Sequence, residues 1–282
     1  MIKKAFVIAG LTVVATVAGY GQSVNENTNY IGQEIRTIWT SVPFLIIAPD
    51  SRASGYGDAG VATTPDINSM HWNPSKYAFI DGNMGLSLSY TPWLRKLVDD
   101  INLGYLTGYK RLDENQVIAA SLLYFDLGSI TFTDEFGTAL KTHNPKEFSI
   151  DVAYSRKFSE KISGGIAARF INSNLAGNVG NQNSHPGRSY AMDVSAYYQD
   201  EMNLGGKNSK LGIGLNISNM GSKLNYTEDR KNFIPINMRL GSALTMELDK
   251  YNSLMFTFDL NKLLVPTRSE EHTSELQSRQ VI

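Results

Sequence analysis

Apolar and polar residues alternate with a period of two along most of the chain after Asn83. Phe148, Ile150 and Val152, for example, are separated by Ser149 and Asp151. Successive side chains of an extended strand point to opposite faces, so this period predicts strands rather than helices. The pattern predicts an all-β fold with nine strands, at residues 84–90, 101–110, 116–126, 148–158, 162–170, 190–199, 211–218, 236–247 and 253–261.

The length of these strands favours a membrane-spanning barrel over a soluble sandwich. Strands in globular proteins average about five or six residues, whereas several of these extend to about eleven. At about 3.3 Å per residue and a tilt near 40°, such a strand covers the roughly 25 Å apolar band of an outer-membrane barrel. The connections also alternate between short turns and long loops, which is typical of an antiparallel up-and-down barrel. A barrel would turn the apolar register to lipid and the polar register to the lumen, whereas a soluble β-sandwich, the alternative, would bury the apolar register.

The predicted number of strands is odd, whereas bacterial single-chain barrels have an even number. An unclosed sheet in lipid would leave unpaired backbone groups, each costing several kcal/mol. We therefore expect the barrel in this chain to be incomplete, with further strands encoded beyond Thr267.

The two ends of the chain differ from its middle. Lys3 and Lys4 precede an apolar run that ends at Gly19, which is typical of a secretory signal peptide. After Thr267 the composition changes abruptly, and residues 268–278 match the translation of a common sequencing adapter. We expect a signal peptide over residues 1–21, an irregular segment entering the lumen over 22–82, a partial outer-membrane barrel over 83–267, and a tail over 268–282 that is an artefact.

Four charged residues, Asp151, Arg169, Asp193 and Arg239, fall on the polar register of near or neighbouring strands. An Arg facing lipid would cost about 2–4 kcal/mol at mid-bilayer, so their register favours polar residues inside the barrel. We expect a salt-bridge network that stiffens the wall.

The composition gives little support to catalysis or cofactor binding. The net charge of −1 offers no basic face for nucleic acid. The glycines at 55, 57 and 60 do not match a phosphate-binding loop, and the histidines do not have metal-ligand spacing. We therefore predict no enzyme activity, no cofactor and no metal site.

A block of residues between Pro43 and Phe79 resembles the PorV family of the bacteroidete type IX secretion system, and so does the run from Asp259 to Thr267. Part of the block is shared with FadL-like barrels in general, so the resemblance implies a FadL-like outer-membrane barrel with an N-terminal segment in its lumen. The residues that carry the resemblance are Pro49, Asp50, Arg52, Gly60, Val61, Ala62, Pro65, Asp66, Trp72, Asn73, Pro74 and Lys76.

The resemblance implies a transport role in the outer membrane of a bacteroidete. PorV-like proteins associate with a large translocon barrel (SprA/Sov), receive cargo through its C-terminal sorting domain, and carry it to an attachment complex containing PorU. The long loops 127–146, 172–188 and 221–234 are candidate cargo contacts, and the candidate residues in the second loop are Asn174, Asn178, Asn181 and Arg188.

Two other functions fit the sequence less fully. The block shared with FadL-like barrels allows a channel for hydrophobic small molecules. A soluble secreted β-protein is the more distant alternative.

Overall fold

The computed structural model describes residues 38–134, 136–175, 185–227 and 230–266. The predicted signal peptide and the tail over 268–282 lie outside the described residues, as do two of the loop candidates, Asn178 and Asn181.

Short helices occupy the segment before the first strand. They are a 3-10 helix (Pro43–Ile46), α1 (Ser51–Gly55), α2 (Ser69–Trp72) and a second 3-10 helix (Pro74–Phe79). The Asp50 carboxylate caps α1 by accepting a hydrogen bond of 2.9 Å from the Ala53 N–H. Asn73 caps the second 3-10 helix in the same way, and Pro74 suits its first position because no N–H is needed there. None of the helices among the described residues is long and apolar enough to cross a bilayer.

The rest of the described chain is built from strands. They are β1 (Met84–Pro92), β2 (Asn102–Arg111), β3 (Gln116–Asp126), β4 (Ile130–Thr133), β5 (Ala139–His143), β6 (Lys146–Lys157), β7 (Ile162–Asn174), β8 (Gly187–Leu204), β9 (Lys207–Gly221), β10 (Leu224–Thr227), β11 (Arg230–Asn232), β12 (Asn237–Glu247) and β13 (Ser253–Leu263).

Nine of these strands form one antiparallel sheet, which confirms the all-β prediction. Their order is β1-β2-β3-β6-β7-β8-β9-β12-β13, so each strand pairs with the next long strand along the chain. All nine predicted strands are present, and most are longer than the alternation alone indicated. Within the described residues β1 and β13 each pair with one neighbour only, so the sheet is not closed.

Two of the predicted long loops contain short β-hairpins. β4 pairs with β5, and β10 pairs with β11. The prediction was wrong there because these strands have three to five residues, too few for a period of two to stand out. The β4–β5 turn is closed by the Asp134 carboxylate, which accepts hydrogen bonds from the N–H groups of Phe136 and Thr138 at 2.9 and 2.8 Å.

The two faces of the nine-stranded sheet have the predicted orientation. Apolar side chains such as Leu88 and Val152 are 76% and 57% exposed, while Ser163 and Asn216 are at most 1% exposed. A soluble sandwich would bury the apolar face instead. The polar face is the buried one here, and residues of the helical segment cover it.

Candidate functional site

The individual residues singled out in the sequence lie between positions 49 and 76, and we call residues 49–79, to the end of the second 3-10 helix, the signature segment. This 3-10 helix packs on β6, β7 and β8. The Ser75 carbonyl accepts hydrogen bonds from the hydroxyls of Ser155 (3.1 Å) and Ser163 (2.7 Å). The Ser75 N–H donates a hydrogen bond of 3.1 Å to the Ser195 hydroxyl. Three neighbouring strands thus bind the backbone N–H and carbonyl of a single residue, Ser75, through the hydroxyls of serine side chains.

The next contact lies at α2. Asn216 donates a hydrogen bond of 2.9 Å to the Trp72 carbonyl, and Arg239 donates one of 3.0 Å to the His71 carbonyl. The Arg239 guanidinium also lies 4.9 Å from the centre of the Trp72 ring, a cation–π distance. The Trp72 indole N–H donates to Asp50 at 2.8 Å, so the same carboxylate caps α1 and orients the ring.

Gly60 and Val61 are bound by the last described strand. One oxygen of the Asp259 carboxylate on β13 accepts hydrogen bonds from both N–H groups, at 2.8 and 3.0 Å. Asn73 donates to the Val61 carbonyl at 2.9 Å and to the Ala196 carbonyl of β8 at 3.1 Å, which links the segment to the sheet. A side chain at Gly60 would clash with Trp72, because a Cβ there would lie 2.4 Å from the ring.

Lys76 is a buried ammonium with no carboxylate in salt-bridge contact among the described residues. Its Nζ donates to the Gly60 carbonyl at 2.9 Å and to the Thr63 hydroxyl at 3.1 Å. Burial lowers the pKa of Lys76 to about 8, since the charged form loses its hydration. Burial also lowers the pKa of His71 well below its usual value, and the nearby Arg239 and Arg169 add to the effect.

The remaining signature residues shape the loop between α1 and α2. Arg52 donates to the Thr64 carbonyl at 3.1 Å and forms an ion pair with Asp66. Pro49 and Ala62 are buried, while Pro65 is half-buried. These contacts hold the loop that presents Gly60 and Val61 to β13.

The four predicted charges meet on the polar face, although they do not form one continuous network. Arg169 pairs with Asp151 at 2.6 Å and with Asp193 at 3.1 Å, and it also donates to the Asn219 side chain. Asp151 accepts a further hydrogen bond of 2.9 Å from Ser121, and Asp193 accepts one of 2.8 Å from the Asn219 N–H. Arg239 belongs to the contact with the signature segment instead.

A family model described as "Type IX secretion system protein PorV" matches residues 30–270. The chain belongs to the PorV family. The match includes the whole signature segment and all nine strands of the sheet. No curated protein matches the chain. Membership of the PorV family assigns the chain a role in the type IX secretion system.

Of the cargo-loop candidates in this PorV-family chain, the two that the structure describes lie at one end of the sheet, where the long connections follow β3, β7 and β9. Asn174 is half-buried at the end of β7, and Arg188 is exposed at the start of β8. The structure also brings the β10–β11 hairpin to this end. Its Tyr226 hydroxyl lies 2.7 Å from that of Ser173, which in turn donates to the buried Glu147 at 2.6 Å.

Sequence reasoning missed the residues of the sheet that bind the signature segment in the PorV-family chain. The alternation puts Ser163, Asn216 and Asp259 on the polar register of three predicted strands, and Asp259 also begins the second stretch that resembles the family. The period of two indicated their face, but no local signal indicated their partners, which lie 88 to 199 positions away. Within the described residues no group of three or more acidic or histidine side chains could hold a metal ion.

Proposed function

We propose that this chain forms part of an outer-membrane β-barrel of the type IX secretion system, FadL-like in architecture. The exposed apolar face of the sheet supports the barrel, because an aqueous protein rarely exposes so large an apolar patch. In a barrel this face meets lipid and all backbone groups of the wall pair between strands. The signature segment then occupies the lumen side.

The specific role we propose is binding and transfer of secreted cargo. The match to the PorV family over residues 30–270 is the observation that carries this proposal. Cargo would arrive from the SprA/Sov-like translocon, be held through its C-terminal sorting domain, and pass to the PorU-type attachment complex.

The long connections are the surfaces we propose for cargo binding. The β4–β5 hairpin exposes Phe136 and Leu140, which are 86% and 62% exposed at its tip. A two-stranded hairpin also has unpaired backbone groups along both edges, and a β-rich sorting domain could pair with them. Asn174, Asn178, Asn181 and Arg188, in or next to the connection after β7, are the further residues that we propose for hydrogen bonds to cargo.

The signature segment argues for binding at the loops rather than passage through the lumen. Its peptide groups make hydrogen bonds to side chains of β6, β7, β8, β9, β12 and β13. Each buried hydrogen bond that must be broken leaves polar groups unpaired at about 1–3 kcal/mol. Clearing a path for a small molecule would break several of them.

The test is complementation of a deletion strain, with surface display of a reporter fused to a sorting domain as the readout. We expect the unchanged gene to restore display, and a variant carrying Phe136→Ser with Leu140→Ser to accumulate in the outer membrane but restore display several-fold less. Leu112→Ser is the matched control, because this exposed leucine lies in a short turn at the opposite end of the sheet.

Three outcomes would contradict the proposal in different ways. Normal display in the deletion strain would overturn the secretion role of this chain. Normal display by the hairpin variant would overturn the hairpin as the cargo surface. Intact display together with a loss of fatty-acid uptake would favour a channel for hydrophobic small molecules.

A further inference from the structure

The connection between β1 and β2 exposes an unusual concentration of aliphatic side chains. Leu94, Leu97 and Val98 are 53%, 80% and 41% exposed in a turn that lies at the same end of the sheet as the long connections. Three such side chains within five residues are costly to hold in water, because each exposes apolar area that contributes about 25 cal/mol per Å² when buried.

The backbone of this turn is ordered and holds these side chains outward. The Leu94 carbonyl accepts hydrogen bonds from the N–H groups of Leu97 (2.7 Å) and Val98 (3.1 Å), and the Trp93 N–H donates to the Ile101 carbonyl at 2.9 Å. Leu94 itself has a φ of 51°, a left-handed conformation that is rare for a bulky residue. Strain of this kind persists where the surroundings maintain it, and it often accompanies function.

The turn continues the apolar face of the sheet. Leu88 and Tyr90 on the adjoining strand are 76% and 67% exposed, so exposed apolar side chains run from mid-strand into the turn. Trp93 is directed to the other face, where it packs edge-on against the buried Phe125 at 6.4 Å between ring centres and so fixes the start of the turn to the sheet. Tyr is enriched where a membrane-spanning surface meets the headgroup region, and Tyr90 lies at that level if the apolar face contacts lipid.

Two cations lie between the aliphatic residues. Arg95 and Lys96 are exposed, and neither forms an ion pair with another residue in the part of the chain that the structure describes. The nearby Asp100 carboxylate is engaged elsewhere, since it accepts a hydrogen bond of 2.7 Å from the Ser129 N–H.

We propose that the β1–β2 turn is a lipid anchor at the membrane interface. Leu94, Leu97 and Val98 enter the boundary between acyl chains and headgroups, and Arg95 and Lys96 extend to the lipid phosphates. Long basic side chains suit this arrangement because their stems lie along apolar surface while their charges reach polar groups. This inference rests on the proposed membrane barrel.

The test uses the absence of cysteine from the chain. Single cysteines replace Leu97 in the turn, Leu88 in mid-strand, and Leu140 on the β4–β5 hairpin, and each carries an environment-sensitive fluorophore. The full chain is reconstituted into phosphatidylcholine vesicles with or without bromine on the acyl chains. We expect strong quenching by bromine at 88, clear quenching with a blue-shifted emission at 97, and neither at 140.

Each result bears on a different claim. A label at 97 that behaves like the one at 140 would overturn the anchor while leaving the barrel intact. A label at 88 that escapes quenching would overturn the proposed barrel itself. The two failures are therefore distinguishable.

The phosphate contact is tested by adding phosphatidylglycerol to the vesicles. We expect the anionic lipid to increase quenching at 97, and the double variant Arg95→Gln with Lys96→Gln to lose that increase. Lys250→Gln, at the opposite end of the sheet, is the control and should keep it. An unchanged increase in the double variant would overturn the role of the two cations.

Discussion

The two faces of the same nine strands are built on different principles. The polar face binds one partner, the signature segment, through contacts between individual atoms, such as Ser163 with the Ser75 carbonyl and Asp259 with the N–H groups of Gly60 and Val61. The apolar face shows only a shared property, exposure of Leu, Ile, Val and Phe side chains. A face that must fit one partner needs particular residues at particular positions, whereas a face suited to lipid needs only hydrophobicity.

Glycine use illustrates the difference. A Cβ at Gly214 would lie 2.1 Å from the Val61 carbonyl oxygen, and a Cβ at Gly212 would lie 2.4 Å from that of Ala62. Both glycines are on β9, and their lack of a side chain lets the segment's backbone approach the sheet closely. Overpacking at such a site costs about 1–3 kcal/mol. The apolar residues that follow each of them, Ile213 and Leu215, carry large side chains directed away from the segment.

The largest expected loss of stability comes from replacing Arg169, which lies on the polar face. Arg169→Met would leave Asp151 and Asp193 buried without their cation, and removing one partner of a buried ion pair costs about 3–5 kcal/mol. We expect a correspondingly lower free energy of unfolding, measured by urea denaturation of the detergent-solubilised chain.

Arg156→Met is the control for this experiment, because Arg156 is exposed on β6 and should change the free energy by less than about 0.5 kcal/mol. Adding Asp151→Asn and Asp193→Asn to Arg169→Met should recover part of the loss, since no uncompensated charge then remains. Equal destabilisation by the two arginine substitutions would show that the buried network has no special role.

A charge on the apolar face gives the next largest effect. Ile213 is 41% exposed on that face, and an arginine in contact with lipid costs about 2–4 kcal/mol at the middle of a bilayer. We expect Ile213→Arg to reduce the folded, heat-modifiable chain recovered in the outer membrane, as seen by electrophoresis with and without boiling.

Ile213→Val keeps the apolar character and is the matched control. Normal recovery of the arginine variant would mean that this face meets water, and the distinction between the two faces would then fail.

The fold could be predicted from the sequence wherever the alternation of apolar and polar residues continues over many positions. Alternation over about ten residues specified the long strands and their faces, because every second residue reports the same environment. It could not specify the β4–β5 and β10–β11 hairpins, where too few residues alternate, or extend β8 to its end at Leu204, since the residues after Gln199 depart from the apolar–polar rhythm.

The site was less predictable because its partners are far apart in sequence. Resemblance to a family identified the signature segment, and the strand register identified the four buried charges. Arg239 binds α2 instead of joining the ion pairs of Arg169 because of where the signature segment docks on the sheet. No local sequence pattern predicts that docking position. The role of the serine hydroxyls around Ser75 could not be predicted either, because small polar residues are expected at any position on the polar face of such a sheet.

The segment that binds the polar face should also make the stability of the protein depend on pH. The pKa of Lys76 is about 8 in the folded protein, below its ordinary value of 10.5. The unfolded chain therefore binds more protons between these values, and the free energy of unfolding should rise as the pH increases from about 8 to 10.5. Below pH 8 the cost of burying the ammonium is fully present.

The measurement is the thermal unfolding midpoint, which should rise with pH over the same range. Lys76→Met should abolish this rise, whereas Lys110→Met, at an exposed strand position, should preserve it. A rise of equal size in both variants would show that another group titrates, and that the segment holds Lys76 without a cost from its charge.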